Sequence, residues 1–447
     1  MPDYSSLPSV TALASIPELA GYPESVRIEA AQSAIGSSRE ALKGGWAPDP
    51  IGLAKRIAWI ITADSIKHVF NMTGVILHTG LGRAPLAQSR SVHRYENIEF
   101  DLRTGKRGDR QDHVRGLLCE LTGAEDALVV NNAAAGVLVT LAALCKGKEV
   151  LLSRGESVEI GGSFRMPEIV KASGCKLVDV GTTNKTYAYD YANAITARTA
   201  AILRCHPSNY EIKGFTDSPF PSELGLVAKD NGVLFINDQG NGALIDFSRY
   251  GIHGIETLPS SVASGADISI ASGDKLLGGP QCGLIVGRKD LIRKIAKHPI
   301  ARAVRIDKLT LSVLEATLRL YRYKAIIDIP MFNILETRPE IVREICEALA
   351  PKGALVVETI CELGSGAGSG KGVKSFAIVM KTSKPDKLLA ALRKESYIGR
   401  IQDGAVWLDP ICEIEFFGAV HPAAERATHD AFVHIRNIFT KCWNKWK

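Results

Sequence analysis

In the first sixty residues, apolar positions recur at spacings of three and four, which predicts helices rather than strands. Two are expected, Glu24 to Lys43 and Ile51 to Asp64. Between them lies Gly44-Gly45-Trp46-Ala47-Pro48, a helix-stop signal. Beyond residue 60 the pattern changes to short apolar runs bounded by turn residues and separated by helical stretches. The runs are Ala127–Val130, Glu149–Ser153, Leu177–Val180, Ala200–Arg204, Val233–Ile236, Ile268–Ile270 and Cys282–Val286. Continuous apolar strands alternating with helices predict a mostly parallel sheet under helices, an α/β layer. A long helix is expected over residues 309–328. After it come helical stretches and the short strands Phe376–Met380 and Ala405–Leu408, a small α+β domain. The predicted organisation is a helical segment (1–60), a large α/β domain (61–330) and a small C-terminal domain (331–447).

Composition narrows the class. The 447 residues are 46% hydrophobic and 23% charged, which excludes a disordered or fibrous chain. A chain of this size can bury a large core without staples. The nine cysteines show no CxxC and no Cys/His ligand spacing, so reduced thiols, a cytoplasmic location and no metal site are expected. The start has no secretory pattern, and no apolar run reaches membrane-spanning length. The formal net charge is +6, and residues 288–308, with eight basic and two acidic side chains, equal that excess. A charge run is ordinarily a solvated helix face. The stretch Gly364–Gly372 is glycine-rich but lacks the spacing of a phosphate loop, and a flexible loop is expected there.

Four short segments carry candidate chemistry. Lys275 lies between a small polar turn and Gly278-Gly279, open enough for an aldehyde to reach its amine, with Asp274 beside it. Asp238 ends a predicted strand 37 residues earlier and suits pairing with a pyridinium nitrogen. Asn132, Ala133 and Ala134 open a helix after a strand, where backbone N–H groups can take a phosphate. Asn209 follows another strand, within reach of a cofactor oxygen. Ser272, in the turn before Lys275, is a further cofactor contact. Each has a plainer reading when taken alone: a surface lysine, a turn aspartate, a helix cap, a loop asparagine. Their order along the chain is that of fold-type I enzymes, which bind pyridoxal 5'-phosphate.

Longer blocks narrow the resemblance. They include Asn71-MTGVILHTGLGRAPL, Glu99-FDLRTGKRGDR, Ser153-RGESVEIGGSFR, His206-PSNYEIKGFT, Ser272-GDKLLGGPQCG and His298-PIARAVRIDKLTLSVLEATLRLY. With these blocks the chain resembles bacterial selenocysteine synthases, the L-seryl-tRNA(Sec) selenium transferases, over most of residues 68–325 and one block near the C-terminus. The resemblance implies a fold-type I transferase that converts seryl-tRNA(Sec) with selenophosphate through an aminoacrylyl intermediate. It makes Lys275 and Asp238 catalytic and assigns Arg83, Arg302 and Arg305 to the selenium donor. It further implies a homo-oligomer, a ring of dimers with active sites between subunits, and tRNA contact through the N-terminal segment. That segment has five basic and six acidic residues, a poor match to RNA phosphates. Gly80, Ala133 and Asn241 stand where the family pattern has other residues. Two rivals remain from the sequence: a lyase or β-eliminating enzyme acting on a small amino acid or amino sugar phosphate, and a non-catalytic tRNA-binding scaffold.

Overall fold

The computed structural model describes residues 4–44, 47–87, 95–161, 164–207, 209–368, 370–418 and 425–446. Gly45 and Trp46 of the predicted helix stop, and Gly162, Ser163, Ser208 and Ser369 of the motifs above, lie outside them. The chain divides into two compact units, Met1–Val69 and Phe70–Lys447.

The first unit consists of helices Val10–Ala14, Glu24–Lys43 and Pro50–Thr62 with a short 3-10 turn. Asp49 caps the third helix by accepting from the Gly52 N–H at 2.9 Å, and Pro50 sits at its first position. Ala30, Ala31, Ala34, Ala54 and Ala58 are buried together with Leu13, Leu19 and Ile35. Small side chains let helix backbones approach closely, so this core is thin. It leaves Ile51, Trp59, Ile60 and Ile66 exposed.

The second unit is built on a seven-stranded sheet. Its strands are β1 (Asp126–Val130), β2 (Glu149–Ser153), β3 (Lys176–Val180), β4 (Thr199–Cys205), β5 (Leu234–Gly240), β6 (Ile268–Ser272) and β7 (Gly283–Gly287). Their spatial order is β1-β7-β6-β5-β4-β2-β3. Only β7 runs antiparallel, so the C-terminal ends of the other six meet at one edge of the sheet. Such an edge is where ligands bind in open α/β sheets. β1, β2, β6 and β7 are buried along their whole length, as the continuous apolar runs require. β5 runs four residues past the predicted strand into polar Asn237–Gly240. The helix expected over 309–328 is Lys308–Arg322 and ends early, because Lys324 takes a left-handed φ of 58°.

The C-terminal layer is a four-stranded antiparallel sheet of β8 (Leu355–Glu362), β9 (Gly372–Lys381), β10 (Arg400–Gln402) and β11 (Ala405–Leu408). Their order is β8-β9-β11-β10. Residues 70–75 join this layer: Phe70 and Asn71 pair in parallel with Tyr397 and Ile398, and Thr73 bridges Asp409. Trp443, in the helix Glu425–Asn444, is buried and donates its Nε1 to the Lys381 carbonyl at 3.0 Å. The tail is therefore a packed helix end. Among the described residues no helix is long and apolar enough to cross a membrane.

Candidate active site

The turn after β6 carries Lys275, and the polar C-terminal end of β5 carries Asp238. The lysine turn and the turn after β5 are interlocked. The Leu276 N–H donates to the Asn241 carbonyl at 2.8 Å. Gly242, at φ +79°, lies so close to the lysine turn that a Cβ there would sit 2.1 Å from the Ser272 carbonyl oxygen. Gln239 and Asn241 are buried and satisfy one another and the Glu256 carbonyl. The polar run that lengthens β5 is thus a rigid support rather than a solvated loop.

Burial dominates the electrostatics. Lys275 is 7% exposed, and desolvation lowers its pKa against the opposing pull of Asp238 and Asp274. Burial pushes Asp238 up to about 6, against the Lys275 charge. Among the described residues the buried Asp238 Oδ1 has no hydrogen-bond partner, while the Asp238 backbone carbonyl accepts the His206 N–H at 3.1 Å. A buried carboxylate oxygen without a donor is costly in a finished core, and a ligand that donates to it removes that cost. His206 is pulled down to about 4, by burial first and then by Arg204.

The helix Ala133–Leu144 begins at the end of β1. Asn132 caps it by accepting the Ala135 N–H at 2.8 Å. That leaves the Ala133 and Ala134 N–H groups without an acceptor among the described residues. Gly283 of β7 passes so near that a Cβ would meet the Asn132 carbonyl oxygen at 2.2 Å. An unspent helix N-terminus, a buried lysine and an orphaned carboxylate oxygen form a donor and acceptor set that fits pyridoxal phosphate.

Asp274 is fully engaged. One oxygen accepts the Ser272 hydroxyl at 2.7 Å, and the other pairs with Arg83. Arg83 itself has a left-handed φ of 66°, rare for a residue with a side chain. Arg305 reaches the same end of the sheet by backbone, since it bridges Val130 and the Asn131 N–H donates to Val304. Arg302 is exposed on the helix Pro299–Ala303. The rest of the basic run is an amphipathic helix, Lys289–Lys297, that buries Leu291, Ile292 and Ile295. Asn209 is exposed and donates its amide to the Glu159 carbonyl at 2.8 Å, so in its loop His206 rather than Asn209 meets Asp238.

Sequence reasoning missed two groups. Arg204 bonds Asn237 at 3.0 Å and Glu256 at 2.7 Å beneath the site. Glu156, in the SRGE block, lies 4.0 Å from Arg204 and is raised to about 7 by burial. The second group is Glu99 with Arg107 and Arg110. The glycine stretch is also better held than expected. Ser365 bonds Leu77 and Thr79, and Gly366 packs against Asn209. With His206, Arg204, Glu156 and Tyr210, Lys371 of that stretch lines a cleft of about 810 Å³.

A family model described as L-seryl-tRNA selenium transferase matches residues 69–413. The chain belongs to the L-seryl-tRNA selenium transferase family. The L-seryl-tRNA(Sec) selenium transferase of Methylocella silvestris is 41% identical over 438 residues, 91% of this chain and 93% of its own. The protein of the same name from Moorella thermoacetica is 45% identical over 386 residues, 81% and 82% of the two chains. A solved D-glucosaminate-6-phosphate ammonia-lyase superposes with a TM-score of 0.56. It covers 85% of this chain and 99% of its own at 21% identity. That likeness shows the fold: this selenium transferase family member has the fold-type I architecture expected from the order of its motifs.

Proposed function

We propose that this chain converts seryl-tRNA(Sec) to selenocysteinyl-tRNA(Sec) with pyridoxal 5'-phosphate as cofactor and selenophosphate as selenium donor. The observation that carries the reading is the near end-to-end match, at 41–45% identity, with proteins bearing that activity in their names. The cofactor, when bound, supplies the electron sink that makes the serine α-proton acidic. The Ala133 and Ala134 N–H groups hold its phosphate, with Asn132 capping the helix behind them. Asp238 pairs with the ring nitrogen, while Ser272 and His206 complete the surround. The Lys275 amine, whose pKa burial lowers, takes and returns the proton at the serine Cα.

Arg83, held by Asp274, joins Arg302 and Arg305 on the donor's phosphate, where planar guanidinium forks suit its oxygens. In the balance, the serine Cβ–O bond breaks and a Cβ–Se bond forms. The hydroxyl leaves as water, and a water is consumed when selenium parts from phosphorus. The N-terminal unit contacts the tRNA, and the protein works as a homo-oligomer in the cytoplasm with active sites shared between subunits. The nine free cysteines fit that reducing location.

Selenium incorporation from selenophosphate by purified protein tests the reading, with seryl-tRNA(Sec) and free serine as parallel acceptors. Incorporation on the tRNA alone is expected. No incorporation by cofactor-loaded protein would move the assignment to a lyase acting on a small phosphorylated amino compound.

A further inference from the structure

Glu99 sits just before a hairpin in which Phe100 and Asp101 pair with Arg107 and Lys106. Three guanidinium groups converge on its carboxylate. Arg110 donates Nε at 2.9 Å and Nη2 at 2.7 Å to Oε1. Arg305 donates Nη1 to the same oxygen at 2.7 Å, and Arg107 reaches Oε2 at 3.2 Å. Arg110 also donates Nη1 to the Ile306 carbonyl at 2.5 Å, next to Arg305 in the chain. Arg110 is therefore spent on holding Glu99 to this stretch of backbone. Among the described residues Arg305 gives a single N–H, to Glu99, and keeps the rest of its fork.

The charge count is lopsided. Arg302 is close enough to lower the Arg305 pKa along with burial and Arg110. Among the described residues, three guanidinium groups thus contact one carboxylate, and Arg302 stands near Arg305 as a fourth, so positive charge is in excess. The nearby Asp307 keeps its negative charge, held by the Leu309 and Thr310 N–H groups and the Thr310 hydroxyl. Lys308 balances Asp307, so the excess stands beside an open depression of about 430 Å³ that both residues line with Arg305. A purely structural ion pair needs one partner. A surplus of like charge, half exposed beside the start of the phosphate-facing helix, is suited to an incoming anion.

We infer that Glu99 is the positioning residue of the donor subsite: it fixes Arg305 from behind, so that the remaining N–H groups of the fork are aimed at a phosphate-bearing ligand. The inference rests on the reading of Arg302 and Arg305 as ligands of that phosphate.

The test measures inorganic phosphate binding by calorimetry, and KM for selenophosphate, on the cofactor-loaded full chain. Glu99→Gln keeps the shape and removes the charge. It is expected to weaken phosphate binding and raise the donor KM by about tenfold, with a much smaller change in kcat, since a charge-assisted bond is lost from a ligand-binding group. Glu99→Asp should recover most of the loss. Unchanged or tighter phosphate binding in Glu99→Gln, with binding lost in Arg305→Ala, would overturn the inference and make Glu99 a bystander or a competing counter-ion. Phosphate binding that survives both Arg302→Ala and Arg305→Ala would instead bring down the underlying reading of the arginines. If Glu99→Gln does not fold, Arg107→Ala, which loosens only the exposed partner, should raise the donor KM a few-fold, and no change would count against the inference.

Discussion

The two ends of the proposed site handle charge in opposite ways. At the Lys275 end, opposite charges are buried and each is driven toward neutrality, the lysine downward and Asp238 up to about 6. At the Glu99 end, like charges are gathered in a half-open place, and Arg110 first among its neighbours holds the Glu99 carboxyl below its usual range. Desolvation prepares groups that must exchange protons. Unspent positive charge prepares a seat for an anion. The first arrangement needs a rigid, dry frame, which the interlocked turns at Gly242 and Asn241 provide. The second needs only that its guanidinium forks be aimed.

The largest expected effect falls on the first end. Lys275→Ala should abolish the visible absorbance of the cofactor-loaded protein and all turnover, and persistence of both would remove Lys275 from its assigned role. The double change Arg302→Ala with Arg305→Ala should do the reverse, keeping the absorbance while stopping selenium transfer. Loss of the absorbance in that variant would erase the contrast, because those arginines would then belong to the cofactor's phosphate.

A smaller effect tests the frame itself. Gly242→Ala forces a side chain onto a left-handed backbone with the Ser272 carbonyl 2.1 Å away. It should cost about 3 kcal/mol or more by denaturant titration, since both strain and a backbone shift are needed. Gly82, beside Arg83, also has positive φ, but no atom of the described residues lies within 4 Å of an added Cβ. Gly82→Ala should cost only about 1 kcal/mol, the backbone term alone. Equal costs at the two glycines would mean that the lysine turn is not held by close approach.

The contrast extends to what could be read from the chain. The core strands are continuous apolar runs, and β2 falls on its predicted residues because nothing interrupts the run. Lys275 and Asp238 are legible because both lie at the C-terminal ends of apolar runs that form strands of the same sheet. The Glu99 cluster is not, because Glu99 and Arg305 lie 206 residues apart and only the fold joins them. β5 reads short because its last four residues are polar, and their burial depends on Glu256 from a later loop. β8 escapes notice as a half-exposed edge strand, because Glu358, Thr359 and Glu362 interrupt its apolar residues and Leu355 and Ile360 are exposed. The join of residues 70–75 to the C-terminal layer is equally hidden, because Phe70 meets a partner more than 300 residues away.

The smallest effect sharpens the rule that burial governs the lysine end. Glu156 is raised from 4.5 to about 7, by burial first, and only partly relieved by Arg204 at 4.0 Å. A carboxyl whose folded pKa is raised binds more protons folded than unfolded between those two values. Stability from this group therefore falls as pH rises from 4.5 to about 7. Asp238 adds a like dependence only up to about 6. Glu156→Gln should leave stability near pH 4 almost unchanged and flatten its decline between about 6 and 7, by on the order of 1–2 kcal/mol. Arg204 keeps Glu256 at 2.7 Å, so the substitution does not strand its charge. Denaturant midpoints measured across that interval decide the matter. An unchanged slope would mean that Glu156 is ionised in the folded protein, its Arg204 contact outweighing its burial.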